Sequence, residues 1–397
     1  MTHPMLPTPT HDERTEQLFM RDLKGFMKAE FDPFRAAMTE ALEAELRQEG
    51  AAETDLTRLR ERLFEEEAFR SSIVFQRATQ ELLWETIGES LDRQLGELNE
   101  RARVPAPRGS LKLDPSLAIP DYMQARDTHL MPGGFAADEG DIRQGALMDR
   151  GGVVYMMGRN GRNGGLLNDG RGHSIVAHLY EFFPDLRPRR ILELGCGVGN
   201  TSVAVAGYFP EAEFYACDVG ASLLRYAHAR AEHLGAPIHF VQANAEATGL
   251  PAGSFDLVYT AVVFHEVSAA AMQNILREMH RLLAPGGVAV NLDVAGRYEE
   301  LTTWQRISGS LDMTYNNEYG WLGAVSANLH GLYRQAGFDA ARVGYQPPVA
   351  RAARGTRGFH ETGYRGPGGS WYISSAAKGS SAAKGSSAAK GSSAAKG

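Results

Sequence analysis

The chain has 397 residues, 43% of them apolar and 22% charged, with a formal net charge of −7. That is a soluble globular composition long enough for two domains, and no apolar run reaches the roughly 20 residues of a membrane helix, so no membrane span is expected. Four lysines lie in a C-terminal repeat, which leaves −11 on the rest, a balance that argues against nucleic acid as a general partner.

Residues 1–14 carry three prolines and no periodicity, which predicts a disordered N-terminus; they also lack the basic-then-apolar pattern of a secretion leader. From Thr15 the pattern turns helical. Leu23, Phe26, Met27, Phe34, Met38, Leu42 and Leu46 recur at three- and four-residue steps, interrupted near Pro33. Gly50 ends this segment and Asp55 is placed to cap the next. Trp84, Ile87, Leu91, Leu95 and Leu98 then form one apolar stripe, read first as core packing within the chain and second as a dimer seam. Residues 15–102 are therefore expected to form a helical region apart from the domain that follows, serving as a lid, as a homodimer element, or as both.

Residues 103–173 read as a connector, with Pro105, Pro107, Pro115 and Pro120 as breaks. Within it, Asp127–Phe135 (D-T-H-L-M-P-G-G-F) sets a histidine beside a turn. Gly151–Gly172 then holds eight glycines together with Arg159, Arg162 and Arg171. A loop this long inside a compact protein is usually functional, and here cover for a bound cofactor is expected, with a surface linker as the alternative.

From Arg190 strand and helix periods alternate, predicting an α/β fold with a parallel sheet covered on both faces. Strands are expected at 190–194, 213–217, 237–241, 255–260, 287–293, 339–345 and 370–374, with helices at 201–208, 221–234, 269–284 and 325–336. The centre of this region is R-I-L-E-L-G-C-G-V-G-N-T (Arg190–Thr201). It reads as a buried strand turning tightly into a helix, with no Cβ where the backbone must approach a ligand. A dinucleotide fingerprint would place glycine at 200, where this chain has Asn200. The only cysteines, Cys196 and Cys217, fall inside this region. Without a disulfide framework, a reducing, cytoplasmic location is expected.

Glu193 followed by G-x-G-x-G resembles motif I of the class I S-adenosylmethionine (SAM) methyltransferases. The resemblance extends over about Ser174–Ser375, as A-E-F-Y-A-C-D-V-G, F-V-Q-A-N-A-E-A-T-G-L-P-A-G-S-F-D, F-D-L-V-Y-T-A-V-V-F-H-E-V and L-L-A-P-G-G follow in the family's order. It implies a Rossmann-like, seven-stranded, mostly parallel sheet closed by an antiparallel hairpin, and SAM as cofactor. The cofactor-binding residues it implies are Glu193, Gly195, Cys196, Gly197, Gly199, Asp218, Val219, Asn244, Ala245 and Ala261. Asp218 would accept both ribose hydroxyls. Asn244, where the family most often has Asp, would face the adenine.

His265 and Glu266, at the edge facing the methyl donor, are the candidate catalytic pair. An unperturbed imidazole titrates near neutrality and suits a base, but positioning alone can supply roughly 7–11 kcal/mol of such a barrier, so a base is optional. No metal site is expected: H-E at 265–266 and at 360–361 lacks a second histidine at zinc-helix spacing. Tyr315, Tyr319 and Trp321 are the candidate substrate-binding residues, aromatic groups suited to a flat, polar molecule. Arg342–Arg365 carries five arginines against Glu361 and reads as a solvated loop before a phosphate patch. S-S-A-A-K-G repeats four times from Ser374 to Gly397, with 376–397 expected to be a flexible tail. The resulting expectation is O-methylation of a small organic acceptor in biosynthesis. The alternatives are C- or N-methylation, protein or RNA methylation, and a non-enzymatic SAM-binding module.

Overall fold

A computed structural model describes residues 2–50, 55–124, 127–155, 167–294, 296–365 and 369–379. Four helices come first: α1 (His11–Gln48), α2 (Leu56–Glu65), α3 (Glu67–Asp92) and α4 (Leu95–Ala102). Thr10 and Glu13 form a capping box at the start of α1, and Asp55 caps α2 through the backbone N–H groups of Thr57 and Arg58. Pro33 does not interrupt α1 as expected; the helix runs through it. The missing N–H is offset by tertiary contacts just beyond, where Arg35 donates to Ser72 Oγ and Gln76 Oε1 of α3 at 2.8 and 2.6 Å.

The connector is structured rather than open. It contains a short strand β1 (Ser110–Lys112), one turn of helix α5 (Asp121–Gln124), a 3-10 turn at Thr128–Leu130 and helix α6 (Arg143–Tyr155). Residues 156–166 of the glycine-rich stretch, and 380–397 of the tail, lie outside the described residues.

The α/β region runs α7 (Gly170–Phe182), β2 (Arg190–Leu194), α8 (Asn200–Ala206), β3 (Glu213–Asp218), α9 (Ala221–His233), β4 (Ile238–Gln242) and β5 (Phe255–Ala261). It continues with α10 (Ala269–Leu282), β6 (Leu283–Asp293), α11 (Thr303–Tyr315), α12 (Trp321–Val325), α13 (Leu329–Ala336), β7 (Arg342–Gln346) and β8 (Trp371–Ala377). Among the described residues the sheet has eight strands, ordered β1-β4-β3-β2-β5-β6-β8-β7. The two pairs involving β8 are antiparallel and the others parallel. The seven strands expected are all present. The eighth, β1, was hidden in the proline-rich connector, where three residues are too few to show a period of two.

The two faces of the sheet carry separate cores, one under α10 and α13 and the other under α7, α8 and α9. A third cluster joins Leu83, Trp84, Ile87, Leu91 and Leu98 of the N-terminal helices to Ala146, Leu147, Val198, Leu223 and Tyr226. The helical region therefore shares its core with the glycine turn of the sheet domain. No helix among the described residues is long and apolar enough to cross a membrane.

Two expectations are corrected here. Residues 2–10 are described and packed: Met5 is fully buried, and His3 Nε2 lies 3.0 Å from the buried Asp149 carboxylate. Prolines removed the periodicity that would have shown this burial. The last strand also runs past its expected end at Ser374, so Ala376 and Ala377, expected in the flexible tail, belong to the sheet. Ser374 and Ser375 are buried in β8, between β6 and β7, and Lys378 Nζ donates to the carbonyls of His280 and Leu283 at 2.8 and 2.7 Å. The first copy is thus structural, because small side chains suit a strand covered on both faces.

A chain ending after Gly379 is expected to keep the melting temperature of the full chain. One ending after Ile373 loses four ladder residues of an interior strand and should not give a cooperative melt. Circular dichroism on the two truncations checks this.

Candidate active site

β2 ends in a turn in which Gly195, Gly197 and Gly199 all have positive φ, at 72°, 51° and 72°, a region an L side chain rarely enters. The turn is tied to β3: Gly195 and Cys196 donate their N–H groups to Cys217 O at 2.8 and 3.0 Å, and Gly197 N donates to Asp218 Oδ2 at 2.8 Å. A Cβ at Gly195 would come within 2.7 Å of Val263. Asn200 holds its place by donating to Asn168 O at 2.9 Å, an anchoring role that glycine could not fill.

Glu193 sits fully within the sheet, accepting from Tyr259 Oη at 2.9 Å and from the Ser202 hydroxyl. Burial pushes its carboxyl up to about 8 against those two hydrogen bonds. Burial also raises the Asp218 carboxyl, opposed by the N–H groups of Gly220 and Gly197.

A cavity of about 100 Å³ opens at this turn, lined by Glu193, Gly195, Cys196, Gly197, Asp218 and Ala261 together with Phe135, Met148 and Glu266. The other expected cofactor residues do not line it. Gly199 caps α8, Val219 O accepts from Gln242 Nε2 at 2.9 Å, and Ala245 packs at the edge of one core. The Asn244 side-chain oxygen, expected to meet adenine, accepts from the backbone N–H of Glu246 at 2.9 Å, a local turn that asparagine readily makes. Arg171, at the start of α7, also lines the cavity, and its shielded Nε has no hydrogen-bond partner among the described residues. A guanidinium there fits the carboxylate end of SAM, and Asp218 retains lone pairs for the ribose, so the site suits that molecule.

Beside the cavity runs a chain of acids and imidazoles. At the end of β5, Val262 takes φ 58°, and the 3-10 turn Phe264–Glu266 turns His265 inward. Asp293, at the end of the neighbouring β6, lies 2.6 Å from His265 Nδ1 and accepts from Phe264 N at 2.9 Å. The other ring nitrogen of His265 lies 3.1 Å from Glu266 Oε1. That same oxygen is 2.8 Å from His129 Nε2, and His129 Nδ1 is 3.1 Å from Glu318 Oε1. His129 and Leu130 both have positive φ, at 57° and 56°. The conformation is held by Gln80 Nε2 and Trp84 Nε1, which donate to His129 O at 2.9 and 2.7 Å.

Burial opposes charge on both imidazoles, but the carboxylates prevail. Asp293 and Glu266 raise His265 well above its usual range, and Glu266 and Glu318 lift His129 to about 10. Despite its burial, Glu266 is held far below the carboxylate range by the two histidines. With carboxylates on both ring nitrogens and no cation between them, His265 is drawn toward the charged form and away from the ready base its isolated character suggests.

A profile for the family described as "Methyltransferase domain" matches residues 191–287. An uncharacterized methyltransferase of Synechocystis sp. is 30% identical over 154 residues, 39% of this chain and 68% of that protein. The chain belongs to the class I SAM-dependent methyltransferases. A demethylmenaquinone methyltransferase of Thermus thermophilus is 36% identical over 134 residues, 30% of this chain and 60% of its own length. A trans-aconitate 2-methyltransferase of Methylobacterium radiotolerans is 37% identical over 113 residues, 28% and 41% of the two chains. The chain thus spans about two fifths to two thirds of the length of these three relatives.

In this methyltransferase a second cavity, of about 340 Å³, lies between α1, α3 and α11. Apolar groups (Met27, Ile73, Leu130, Trp304, Leu311) and polar ones (Lys24, Arg35, Gln76, Asp312, Glu318) share its wall. Burial lowers Lys24 to about 8, and burial together with Glu318 raises Asp312 well above the carboxylate range. Of the three aromatics expected at the acceptor, Tyr315 lines this cavity. Tyr319 is 42% exposed, and Trp321 packs edge-on to His265 at 6.2 Å. Residues 1–102 contribute wall residues that bear no motif, so only the fold could reveal them. His129 gave a faint signal, as a histidine beside a turn.

Asp218→Ala and Arg171→Ala are each expected to weaken SAM binding about ten- to a hundredfold, the loss of one charge-assisted contact of roughly 1.5–3 kcal/mol, in calorimetric titration. Glu193 makes a second prediction. Its folded value of about 8 lies above the ordinary 4.5. The stability this difference contributes is full below about 4.5, is drawn down as pH rises, and is gone once pH passes about 8. Glu193→Gln should therefore flatten the fall in cofactor-free melting temperature between pH 5 and 8.

Proposed function

We propose that the chain methylates an oxygen of a small organic acceptor held in the cavity between α1, α3 and α11. One observation carries this reading: Glu266 borders the donor cavity, Glu318 borders the second cavity, and both carboxylates bond to the same imidazole, His129. The two cavities are therefore neighbours across a single side chain. A volume of about 340 Å³ falls in the range of small-molecule sites, and an apolar wall with a few converging polar groups is their usual character. Lys24 and Arg35 favour an acceptor bearing an acidic or polar group. A polymeric acceptor has less support, because the chain outside the repeats is net acidic.

SAM supplies a methyl group on a sulfonium: the acceptor oxygen's lone pair forms the new bond, the carbon–sulfur bond breaks, and its electron pair goes to sulfur. A hydroxyl acceptor also gives up its proton. The protein's contribution is mainly orientation, worth up to roughly 7–11 kcal/mol when two reactants are held in line. Catalysis is thus assigned to the pair His265 and Glu266 as positioning groups, with Tyr315 as an acceptor wall. The names of two relatives, for demethylmenaquinone and trans-aconitate, are in keeping with a small acceptor in a biosynthetic setting.

We propose further that two copies pair through the helical region. Leu18, Phe19, Phe26 and Phe34 of α1, with Val74, Phe75 and Leu82 of α3, are exposed at turn-related spacings, and such a row is the usual mark of a contact face. Sedimentation of Phe19→Glu together with Phe26→Glu tests it.

With methyl-labelled SAM and a fractionated cell extract, label is expected in small molecules; label confined to protein or RNA would sink the reading. Ser308→Trp, which places an indole in the second cavity, should raise the acceptor KM tenfold or more and leave SAM affinity unchanged.

A further inference from the structure

His129, His265 and Glu266 bring three donor atoms within 4.8 Å of one another. The separations from Glu266 Oε1 to the two Nε2 atoms, 2.8 and 3.1 Å, are hydrogen-bond distances when the rings are protonated, and are short enough for the same three atoms to close on one ion when they are not. With bonds of roughly 2.1 Å, two donors stand about 3.0 Å apart at the octahedral right angle and about 3.4 Å apart at the tetrahedral angle, so closing round an ion asks the rings to move by a few tenths of an ångström. We propose that these three side chains hold a divalent first-row transition-metal ion at the junction of the donor and acceptor cavities.

Three further features support the assignment. Each imidazole has a carboxylate on its far nitrogen, Asp293 on His265 Nδ1 at 2.6 Å and Glu318 on His129 Nδ1 at 3.1 Å. That arrangement fixes the Nδ1–H tautomer, aims the Nε2 lone pair at the ion and raises its basicity. Glu266 Oε2 is shielded from solvent and has no partner among the described residues, an orphan that metal coordination would satisfy. Finally, strained backbone at His129 and at Val262 delivers the two rings from separate segments. Such strain is retained where geometry matters.

Two imidazoles and one carboxylate favour zinc, iron or manganese over magnesium or calcium, which prefer all-oxygen shells. Three protein ligands leave open positions. Because Glu318 and Glu266 border the two cavities, an acceptor hydroxyl can take one of them. On the ion that hydroxyl is more acidic, loses its proton to solvent, and keeps its lone pair directed at the methyl carbon. This role rests on the oxygen-methylation reading; the binding of the ion does not.

The test uses the full chain, stripped with chelator and titrated with zinc(II) and cobalt(II). The expected result is one equivalent bound, visible cobalt absorption, and zinc-dependent shifts of two imidazole nitrogen resonances. His129→Ala and Glu266→Gln should each weaken binding at least tenfold. Absence of a stoichiometric ion overturns the proposal, as does a His129→Ala variant that binds like the parent. If that variant does not fold, the wild-type imidazole shifts decide alone, and unmoved rings overturn it. Methyl transfer is measured in parallel and should fall at least tenfold on stripping and return with zinc or manganese. Turnover that persists without binding removes the metal and leaves the methylation reading standing. Binding without transfer to any small molecule does the reverse.

Discussion

A single carboxylate oxygen, Glu266 Oε1, is shared by two imidazoles from distant parts of the chain, and much of the site's geometry follows from that sharing. The contact joins the end of β5 to the connector through His129. The connector is joined in turn to α3 by Trp84 and Gln80, and Glu318 carries the chain to the segment after α11. Charges with so little exposure are tolerable only when every member is paired, since removing one leaves its neighbour uncompensated. The relative placement of the two cavities is thus set by electrostatic satisfaction as well as by apolar contact. Apolar packing tolerates repacking, whereas this chain admits few alternatives.

The glycine turn is braced from behind by a second buried network. Arg230 of α9 lies 3.3 Å from Asp149, donates to Leu167 O at 2.7 Å and approaches Gly199 O at 3.4 Å. Asp149 also accepts from Tyr226 Oη at 2.8 Å and meets His3. The N-terminal residues, α6 and the cofactor turn are therefore one mechanical unit. A helical region that shares its core with that unit is part of the fold.

Local rules made the α/β region legible. Glycines at alternate positions announced the turn after β2, Asp218 lay at a strand end, and the alternation of periods located the strands of the sheet within a few residues. What stayed hidden required contacts distant in sequence. Nothing in D-T-H-L-M-P-G-G-F distinguishes His129 from a surface histidine; its partners arrive on β5 and after α11. Arg171 sat in view among glycines, but its orientation toward Glu193 and the glycine turn depends on how α7 lies against α8. The second cavity illustrates the same limit, since Lys24 and Arg35 belong to no motif and become wall residues only where α3 and α11 enclose them. His265 was found, but its surroundings were not, and an isolated imidazole and one between two carboxylates are different acids.

The first S-S-A-A-K-G copy supplies the C-terminal end of β8, which lies between β6 and β7, and the remaining copies repeat the same six residues. Register places the first copy: Trp371, Tyr372 and Ile373 are anchored on β6 and β7, so the residues that directly follow them are set in the ladder. The sheet consequently reads one copy and is indifferent to the tally. A replication slip that adds or removes a hexamer changes the length of the chain and leaves the ladder's composition as it was.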